Sequence, residues 1–279
     1  MLLFIIILCA AALLALLLWA CLRPGRFAPA QKQPFYGVNF AHRGLHTQDK
    51  TVPENSLAAF AAAVNAGYGM ELDVQLSQDG QVVEFHDDTL DRVCGVHGRV
   101  DAFSLAQLQE MRLCGTDEHI PLLTELFDVV QGKTPLVVEL KTGPHNNELC
   151  EKTLQLLRAY SAQYNGVYCI ESFDPRIVAW FKNNAPDILR GQLSDAPPAF
   201  KDKPAVLRFI LGNLLMNGIA RPQFIAYGPG KKSCLVRLAE RMGAIRVCWT
   251  VRPGDNIQAK EAENDMVIFE FYNPPVKFK

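Results

Sequence analysis

The chain has 279 residues, 49% of them hydrophobic, and its 28 basic and 29 acidic side chains leave a net charge of −1. This length and apolar content suit one α/β barrel of ordinary size with a short appendage. The balanced charge, the lack of a basic stripe and the lack of zinc-type spacing among the cysteines argue against a polyanion-binding module, including one for nucleic acid.

The first segment, Leu2 to Leu22, is an apolar run without a charged residue and is long enough to cross a bilayer as a helix. A signal peptide is the alternative, disfavoured because no basic residue precedes the run and no small-x-small site follows it. The stretch from Leu18 to Cys21 faintly resembles a lipoprotein cleavage box, in which Trp19 is a poor fit. We therefore predict a transmembrane anchor over residues 1–22.

The flanking charges predict the orientation of this anchor. Arg23, Arg26 and Lys32 follow the run and nothing basic precedes it, so the positive-inside bias places the rest of the chain in the cytoplasm. Cys169 and Cys248 lie inside apolar strand patterns, where free buried thiols agree with a reducing compartment. The sequence predicts a single-pass protein of the cell membrane with a cytoplasmic body.

Strand and helix patterns alternate through residues 36–279, after a proline-containing linker at residues 23–35. Eight strands are predicted at residues 38–42, 69–74, 136–140, 167–171, 188–192, 223–227, 245–250 and 266–270. Helices are predicted between most of them, at residues 56–66, 122–131, 147–160, 174–184, 204–217, 231–242 and 255–262. This alternation predicts a TIM (β/α)8 barrel.

Two segments depart from the simple barrel pattern. Residues 88–118 are too long for a barrel loop and contain a helical pattern over Ser104 to Met111, so we expect a small capping insertion over the mouth. The run from Val206 to Met216 is apolar enough to suggest contact with lipid, although a barrel helix packed on the sheet is the favoured interpretation.

The stretch from Gly69 to Asp87 predicts a hairpin whose turn is Asp79-Gly80. A two-residue turn there places Asp73 opposite His86, with Glu71 on the same face of the strand. Two carboxylates and an imidazole then converge on one face. A solvated polar face is the alternative, but the other face of the strand is apolar, which indicates a half-buried strand.

Charged side chains also end two other predicted strands. Val38 to Gly44 ends in His42-Arg43, and Leu136 to Lys141 carries Glu139 and Lys141. The carboxyl ends of barrel strands are where catalytic groups gather, since the loops there are free to vary.

These motifs, taken in order, resemble the signature of the glycerophosphodiester phosphodiesterase family, and the resemblance extends over about residues 36–274. Its elements are His42-Arg43-Gly44, Pro53-Glu54-Asn55-Ser56, Glu71-Leu72-Asp73-Val74, Asp79-Gly80, His86-Asp87, Glu139-Leu140-Lys141, Glu171-Ser172-Phe173-Asp174 and Trp249-Thr250-Val251. The segment Arg221–Tyr227 resembles a bacterial branch, and the anchor suggests a membrane-bound member. Arg252 and Phe269-Glu270 depart from the family pattern; we interpret both as lying outside the metal and histidine set and as affecting substrate preference.

The carboxylates Glu71, Asp73 and Glu139 predict an all-oxygen site for a hard divalent cation, Mg²⁺ or Ca²⁺. Soft ligands are missing from this set, which argues against zinc. The family resemblance implies the same metal-binding role.

His42 and His86 are the candidate general acid and base, because a neutral-range pKa lets imidazole exist in either protonation state. Which is acid and which is base stays open, and a buried structural role is the alternative for His42. Arg43 offers a planar fork to phosphate and Lys141 a point charge, so both are predicted to bind the phosphate.

Other residues have weaker assignments. Glu54 and Asn55 precede a predicted helix, so a site role and a helix-capping role, in which Asn55 or Ser56 is the N-cap, are equally open. Phe173 and Trp249 lie at strand ends and could wall the substrate or simply pack the barrel. The remaining histidines are predicted to be bystanders: His46, His97, His119 and His145.

Three functions are consistent with the sequence. The first is hydrolysis of glycerophosphodiesters to glycerol 3-phosphate and an alcohol, which the resemblance implies. The second is lysophospholipase D-type hydrolysis of lysophospholipids, which the membrane anchor makes plausible. The third is a non-catalytic membrane-anchored binding protein, disfavoured because no member of the histidine and carboxylate set is missing.

Overall fold

The chain folds into a closed parallel barrel, which confirms the predicted fold class. A computed structural model describes all residues 1–279. The strands are β1 (Val38–Ala41), β2 (Gly69–Leu76), β3 (Val82–Glu84), β4 (Leu136–Leu140), β5 (Tyr168–Ser172), β6 (Arg190–Ser194), β7 (Phe224–Tyr227), β8 (Ile245–Val251) and β9 (Met266–Phe269). Eight of them pair in parallel, and β1 closes the ring by pairing with both β9 and β2. The ninth strand, β3, pairs antiparallel with β2.

Helices surround this ring, except for Leu2–Leu22, Ala205–Gly212 and the short helices of residues 88–118, which are described below. They are α1 (Leu2–Leu22), α2 (Pro29–Lys32), α3 (Leu57–Ala66), α4 (Asp91–Cys94), α5 (Leu105–Glu110), α6 (Leu123–Val130), α7 (Asn146–Tyr164), α8 (Pro175–Asn184), α9 (Ala205–Gly212), α10 (Asn217–Ala220), α11 (Cys234–Arg241) and α12 (Ile257–Glu263). Three short 3₁₀ turns lie at Val100–Ala102, Leu113–Gly115 and Pro197–Ala199.

Alternation along β2 separates the core from the site. Met70, Leu72 and Val74 pack in the large apolar cluster between the sheet and its helices. Glu71 and Asp73 therefore point to the other side, because successive side chains of a strand face opposite ways. These two carboxylates therefore lie on the face of the sheet that points away from the helices.

The β2–β3 hairpin has a different register from the predicted one. Val74 pairs with Glu84, and Gly80 adopts a left-handed conformation with φ +72° at the end of a three-residue loop. Such loops are the common alternative to a two-residue turn. Asp73 therefore lies opposite Phe85, whose N–H donates to the Asp73 carbonyl at 3.0 Å, and the predicted pairing of Asp73 with His86 is wrong.

The chain leaves the hairpin directly after this point. β3 ends at Glu84, and the side-chain amide of Gln75 donates to the carbonyls of Phe85 and Asp87, each at 2.8 Å. These two bonds fix the backbone on both sides of His86. His86 is positioned by a side chain and not by strand pairing.

Residues 88–118 form a compact segment of short helices and turns with a small apolar cluster of its own. Val93, Leu108 and Leu113 are buried there together with Val83 and Phe85 of the hairpin. The segment is therefore anchored on the same hairpin that carries the site residues.

The predicted helix at 204–217 ends early, at Gly212, and Leu214 in the turn that follows is in the left-handed region with φ +62°. Asn213 closes the helix by donating from its side-chain amide to the Phe209 carbonyl. Helix α9 does not pack on the sheet as favoured from the sequence: Val206 is 71% exposed and Phe209 is 55% exposed. An apolar helix face is left open on the surface.

Helix α1 is long and apolar enough to cross a membrane, although a signal sequence would pass the same test. Only its last turn contacts the body: Leu22 is buried in an apolar cluster with residues that include Leu214 and Val236. The Gly25 N–H donates to the Pro222 carbonyl at 2.9 Å, which ties the segment after α1 to the start of β7.

Candidate active site

Three carboxylates meet at the carboxyl ends of β2 and β4. Asp73 and Glu139 are direct partners in the parallel register of these strands, and Glu71 lies one pleat earlier on β2. All three are buried, and one oxygen of each lies within 4.8 Å of the others. Adjacent parallel strands therefore deliver all three predicted metal ligands to one point.

Burial and neighbouring charges shift the pKa values of all three carboxylates. Burial raises the pKa of Glu71, and the charges of Asp73 and Glu139 raise it further. Burial also raises the pKa of Glu139, which Lys141 only partly offsets. Burial acts in the same direction on Asp73, but Lys141, His86 and Arg43 outweigh it and hold the Asp73 pKa low.

This carboxylate set fits a hard divalent cation. It offers only oxygen ligands, as Mg²⁺ and Ca²⁺ prefer, and like charges so close and so buried call for a positive counter-charge. A bound cation would offset the electrostatic repulsion between the three carboxylates.

Lys141 and Arg43, the predicted phosphate ligands, both contact the carboxylates. The Lys141 ammonium lies 2.8 Å from Glu139 and 3.3 Å from Asp73. The Arg43 guanidinium lies 2.6 Å from Glu54 and 3.4 Å from Asp73, and its backbone N–H donates to Glu71. Both cations therefore border the carboxylate cluster.

His42 contacts the carboxylate of Glu270, a residue interpreted from the sequence as lying outside the histidine set. Its Nδ1 lies 3.2 Å from Oε1 of Glu270, and its Nε2 lies 3.8 Å from Oε2 of Glu71. Burial and then Arg43 lower the pKa of His42 to about 4. The interpretation that Glu270 lies outside the histidine set is wrong.

His46, predicted to be a bystander, belongs to the same group. Its Nε2 lies 3.0 Å from the same oxygen of Glu270, whose other oxygen accepts from Arg252 at 2.6 Å. Arg252 and Glu270, which both depart from the family pattern, therefore contact each other, and Glu270 also contacts His42. His42 and Glu270 are 228 residues apart in the sequence, so no local pattern could predict their contact.

His86 has its own carboxylate partner. Its Nδ1 lies 2.6 Å from Asp87, so the ring can donate there and leave Nε2 free. Arg92 donates to both Asp87 and Glu54, and Glu54 also accepts from Arg43. Burial acts to raise the Glu54 pKa, but Arg92 and Arg43 outweigh it and lower it to about 2.

Asn55 precedes helix α3 and could cap that helix or belong to the site. Ser56 caps α3, because its hydroxyl accepts from the Ala59 N–H. Asn55 is buried, has φ +51°, and donates from its side-chain amide to Asp73 at 2.8 Å. Asn55 therefore contacts the carboxylate cluster, and the capping role belongs to its neighbour.

Glu171 is a buried carboxylate that was not among the predicted site residues. It is the register partner of Glu139 on β5, and one of its oxygens has no hydrogen-bond partner. Burial, Glu139 and Asp73 all raise its pKa. Glu171 could have been predicted from the same pattern as Glu139, because both are glutamates near the end of an apolar strand.

Phe173 and Trp249, near the carboxyl ends of β5 and β8, pack edge to face with ring centroids 5.5 Å apart. They line a cavity of about 610 Å³ that also reaches Thr142, the neighbour of Lys141. The predicted apolar wall therefore borders an open space at the mouth of the barrel.

Comparisons with known proteins place the chain in a family. A model of the glycerophosphoryl diester phosphodiesterase family matches residues 42–273. A glycerophosphodiester phosphodiesterase of Caldanaerobacter subterraneus is 35% identical over 55% of this chain and 65% of its own length. The human lysophospholipase D GDPD1 is 32% identical over 50% of this chain and 46% of its own length. The chain thus spans less than two thirds of either relative.

Solved structures share the fold. An Oleispira antarctica phosphodiesterase in complex with the product sn-glycerol-3-phosphate has a TM-score of 0.68 at 24% identity, covering 86% of this chain and 95% of that one. A Thermotoga maritima glycerophosphodiester phosphodiesterase has a TM-score of 0.62 at 24% identity, covering 84% and 94%. The chain belongs to the glycerophosphoryl diester phosphodiesterase family.

Proposed function

We propose that the chain is a metal-dependent hydrolase that cleaves glycerophosphodiesters to glycerol 3-phosphate and an alcohol. The observation that carries the proposal is the buried cluster of Glu71, Asp73 and Glu139, bordered by two cations and two histidines. A structural role does not account for three converging carboxylates, because their mutual repulsion costs stability.

Glu71, Asp73 and Glu139 would hold Mg²⁺ or Ca²⁺. A bound cation supplies positive charge that makes phosphorus easier to attack. Lys141 and Arg43 would bind the remaining phosphate oxygens, Arg43 through its planar fork. Asn55 keeps Asp73 oriented through their hydrogen bond.

The histidines would carry the protons. A hydroxyl of the substrate's glycerol attacks phosphorus, one imidazole accepts its proton and the other protonates the departing alcohol. Water then opens the resulting cyclic phosphate to give glycerol 3-phosphate. Each ring has a carboxylate at Nδ1, Glu270 for His42 and Asp87 for His86, which fixes its orientation. Such a partner keeps the ring ready to exchange a proton at Nε2.

Substitution of either histidine tests this part of the proposal. His42→Ala and His86→Ala should each lower kcat for glycerophosphocholine by about 10²-fold or more, the usual contribution of a positioned acid or base. His97→Ala, on an exposed imidazole of the 88–118 segment, is the matched control and should retain activity. Near-normal turnover in both site variants would refute the acid-base roles.

We also propose that residues 1–22 anchor the protein in the cell membrane, that 23–35 form a linker, and that 88–118 cap the barrel of residues 36–279. The exposed apolar surface of α1 supports the anchor. Arg23, Arg26 and Lys32 after it support a cytoplasmic body, as do the free buried thiols of Cys169 and Cys248.

A lysophospholipid substrate is the second candidate. It is favoured by the apolar cavity beside the site and by the anchor, which would hold the enzyme next to lipid. The human relative is named a lysophospholipase D.

A further inference from the structure

A strongly basic groove lies on the outside of the barrel, between helices α11 and α12. It encloses about 590 Å³, and none of the proposed catalytic residues lines it. Six basic and two acidic side chains do line it, although the whole chain has a net charge of −1. We call it the cationic groove, and its basic side chains are Lys231, Lys232, Arg237, Arg241, Arg246 and Lys260. The proposed catalysis gives these six side chains no role.

Most of the positive charge in the cationic groove is not neutralised by the protein. Lys232 pairs with Glu240 at 2.6 Å. Arg246 pairs with Asp265 at 3.2 Å. The second acidic residue of the lining, Glu263, is exposed and has no cation within salt-bridge distance. Four basic side chains lack a carboxylate within that distance: Lys231, Arg237, Arg241 and Lys260.

This charge distribution favours an anionic ligand. A concave surface lined by one sign of charge focuses the electrostatic field and concentrates ions of the opposite sign. The planar guanidinium groups of Arg237 and Arg241 also match the oxygens of a phosphate group. A phosphate-bearing molecule is therefore the class of ligand that the cationic groove fits.

The membrane anchor meets the body on another face of α11. Leu22, in the last turn of α1, is buried in one apolar cluster with Val236 and Ala239 of α11. Arg237 and Arg241 are four residues apart, so they share a face of this helix that points into the groove. A helix with its side chains is about 10 to 12 Å across, so the groove lies about that far from the end of the anchor.

The path of the chain after α1 shows from which side of the barrel the anchor leaves. Cys21 lies beside Gly218 of α10, and the Gly25 N–H donates to the Pro222 carbonyl. Residues 21–25 therefore run alongside the segment that enters β7 at its amino end. Because the chain descends toward that end, α1 extends toward the carboxyl ends of the strands. The loop from β7 into α11, which carries Lys231, lies on the same side.

We propose that the cationic groove binds the phosphate head group of an anionic phospholipid in the membrane that holds α1. Anionic lipids of the cytoplasmic surface attract each nearby Lys or Arg by about fivefold in affinity. The groove and the anchor together would hold the barrel with its mouth toward the bilayer. This inference rests on the proposed anchor and its topology, and on none of the catalytic assignments.

Lipid binding by the full-length protein tests the groove. The metal-free protein in a neutral detergent is mixed with dioleoylphosphatidylglycerol or dioleoylphosphatidylcholine, and native mass spectrometry measures the apparent Kd of each lipid. Detergent makes the result independent of which way the anchor crosses a membrane. Phosphatidylglycerol should bind at least about 25-fold more tightly, because several cations of the groove lack a partner in the protein.

Paired substitutions show where the lipid binds. Lys231→Gln with Arg237→Gln removes two exposed cations of the groove and should lower the affinity for phosphatidylglycerol about 25-fold. Lys231→Arg with Arg237→Lys keeps both charges and should bind as the wild type does. Lys133→Gln with Lys277→Gln is the matched control, because it removes two exposed cations near the starts of β4 and β1.

Three results would overturn the inference. The first is equal affinity of the wild type for both lipids, or an equal loss in the Lys133→Gln and Lys277→Gln control. The second is loss of phosphatidylglycerol binding in Lys141→Gln but not in the groove variant, which would locate the lipid at the catalytic site. The third is displacement of the lipid by inorganic phosphate at equal concentration, which would identify a site for free anions.

Turnover separates this inference from the proposed function. The variant with Lys231→Gln and Arg237→Gln should hydrolyse glycerophosphocholine within about twofold of the wild-type rate, because neither side chain borders the carboxylate cluster. Absence of turnover in the wild type would contradict the proposed function and leave the lipid-binding result unaffected.

Discussion

His42 shows how much of this site depends on single side chains from distant parts of the chain. Glu270, which follows the last strand, lies within 3.2 Å of His42 and 3.0 Å of His46. Burial acts to raise the pKa of Glu270, but both histidines and Arg252 outweigh it and hold it low. An ionised carboxylate behind His42 is therefore part of what orients that ring.

Removal of one metal ligand tests the carboxylate cluster. Glu71→Gln should abolish the response to Mg²⁺ or Ca²⁺ and lower kcat/KM by about 10²-fold or more, because a bound cation contributes several kcal/mol to transition-state stabilisation. The measurement is a cation titration of turnover. Glu110→Gln, on the exposed side of α5, is the matched control, and an unchanged cation response in Glu71→Gln would disprove the assignment.

The carboxylate behind His86 gives a second prediction at this scale. Asp87→Asn should lower kcat by about 10²-fold or more, because an amide cannot stabilise the imidazolium that forms in turnover. The pH profile of kcat should also change, which a loss of structure alone would not produce. Asp91→Asn removes the partner of the exposed His97 and should alter neither, so equal effects of the two variants would contradict the role of Asp87.

Among the elements, the β2–β3 hairpin connects the two halves of the site. β2 carries Glu71 and Asp73, and the chain after β3 carries His86 and Asp87. Arg92 joins this chain to the loop after β1, since it contacts Asp87 and Glu54, each in two hydrogen bonds. These ion pairs therefore link the loop after β1 to the loop after β3.

This clamp predicts a pH-dependent stability. Arg92→Met should lower the free energy of unfolding by about 1 kcal/mol, the upper range for a pair with an exposed partner. The Glu54 pKa is lowered from 4.5 to about 2 in the folded state, so the clamp's stabilisation is present above pH 4.5 and fades as the pH falls toward 2. Urea unfolding of both proteins at pH 7 and 3.5 measures this, and a difference that grows at low pH would contradict it.

The strands were predictable because each is an apolar run between turn residues, and the carboxylates followed since parallel strands align their ends. His86 was not predictable in the same way. The hairpin has a three-residue loop instead of the predicted two-residue turn. The backbone around His86 is held by two hydrogen bonds from the side-chain amide of Gln75. Glu270 behind His42 depended on closure of the barrel between β1 and β9, which no local pattern encodes.

Helix α9 is the element for which hydrophobicity alone was misleading. The apolar run around Val206 was favoured as a helix packed on the sheet, yet Val206 and Phe209 are exposed. Periodicity indicates that a helix has an apolar face but not what covers that face. The buried residues of this segment, Gly212, Asn213 and Leu214, lie only at the end of α9 and in the turn after it.

For the whole molecule, the orientation in the membrane is directly testable. Cys234, at the start of α11, is exposed, and a cytoplasmic body would shield it from a membrane-impermeant maleimide in intact cells. We expect labelling only after permeabilisation, with Cys234→Ser as the control that identifies the reactive thiol. Labelling of Cys234 in intact cells would reverse the proposed topology.

The anchor and the cavity give the barrel one consistent arrangement. Only the last turn of α1 contacts the body, so most of its apolar surface is free for lipid. The exposed face of α9 and the cavity beneath it would then lie within reach of the same membrane. The catalytic groups need no change for either substrate, since the phosphodiester is common to both.

The most direct measurement is turnover of glycerophosphocholine by the purified full-length protein after removal of all metal. We predict glycerol 3-phosphate and choline in equal amounts once Mg²⁺ or Ca²⁺ is restored, and neither product before. Hydrolysis that proceeds equally without a cation would contradict the role of the carboxylate cluster. Absence of either product from both glycerophosphocholine and lysophosphatidylcholine, with a cation bound, would contradict the assignment as a hydrolase.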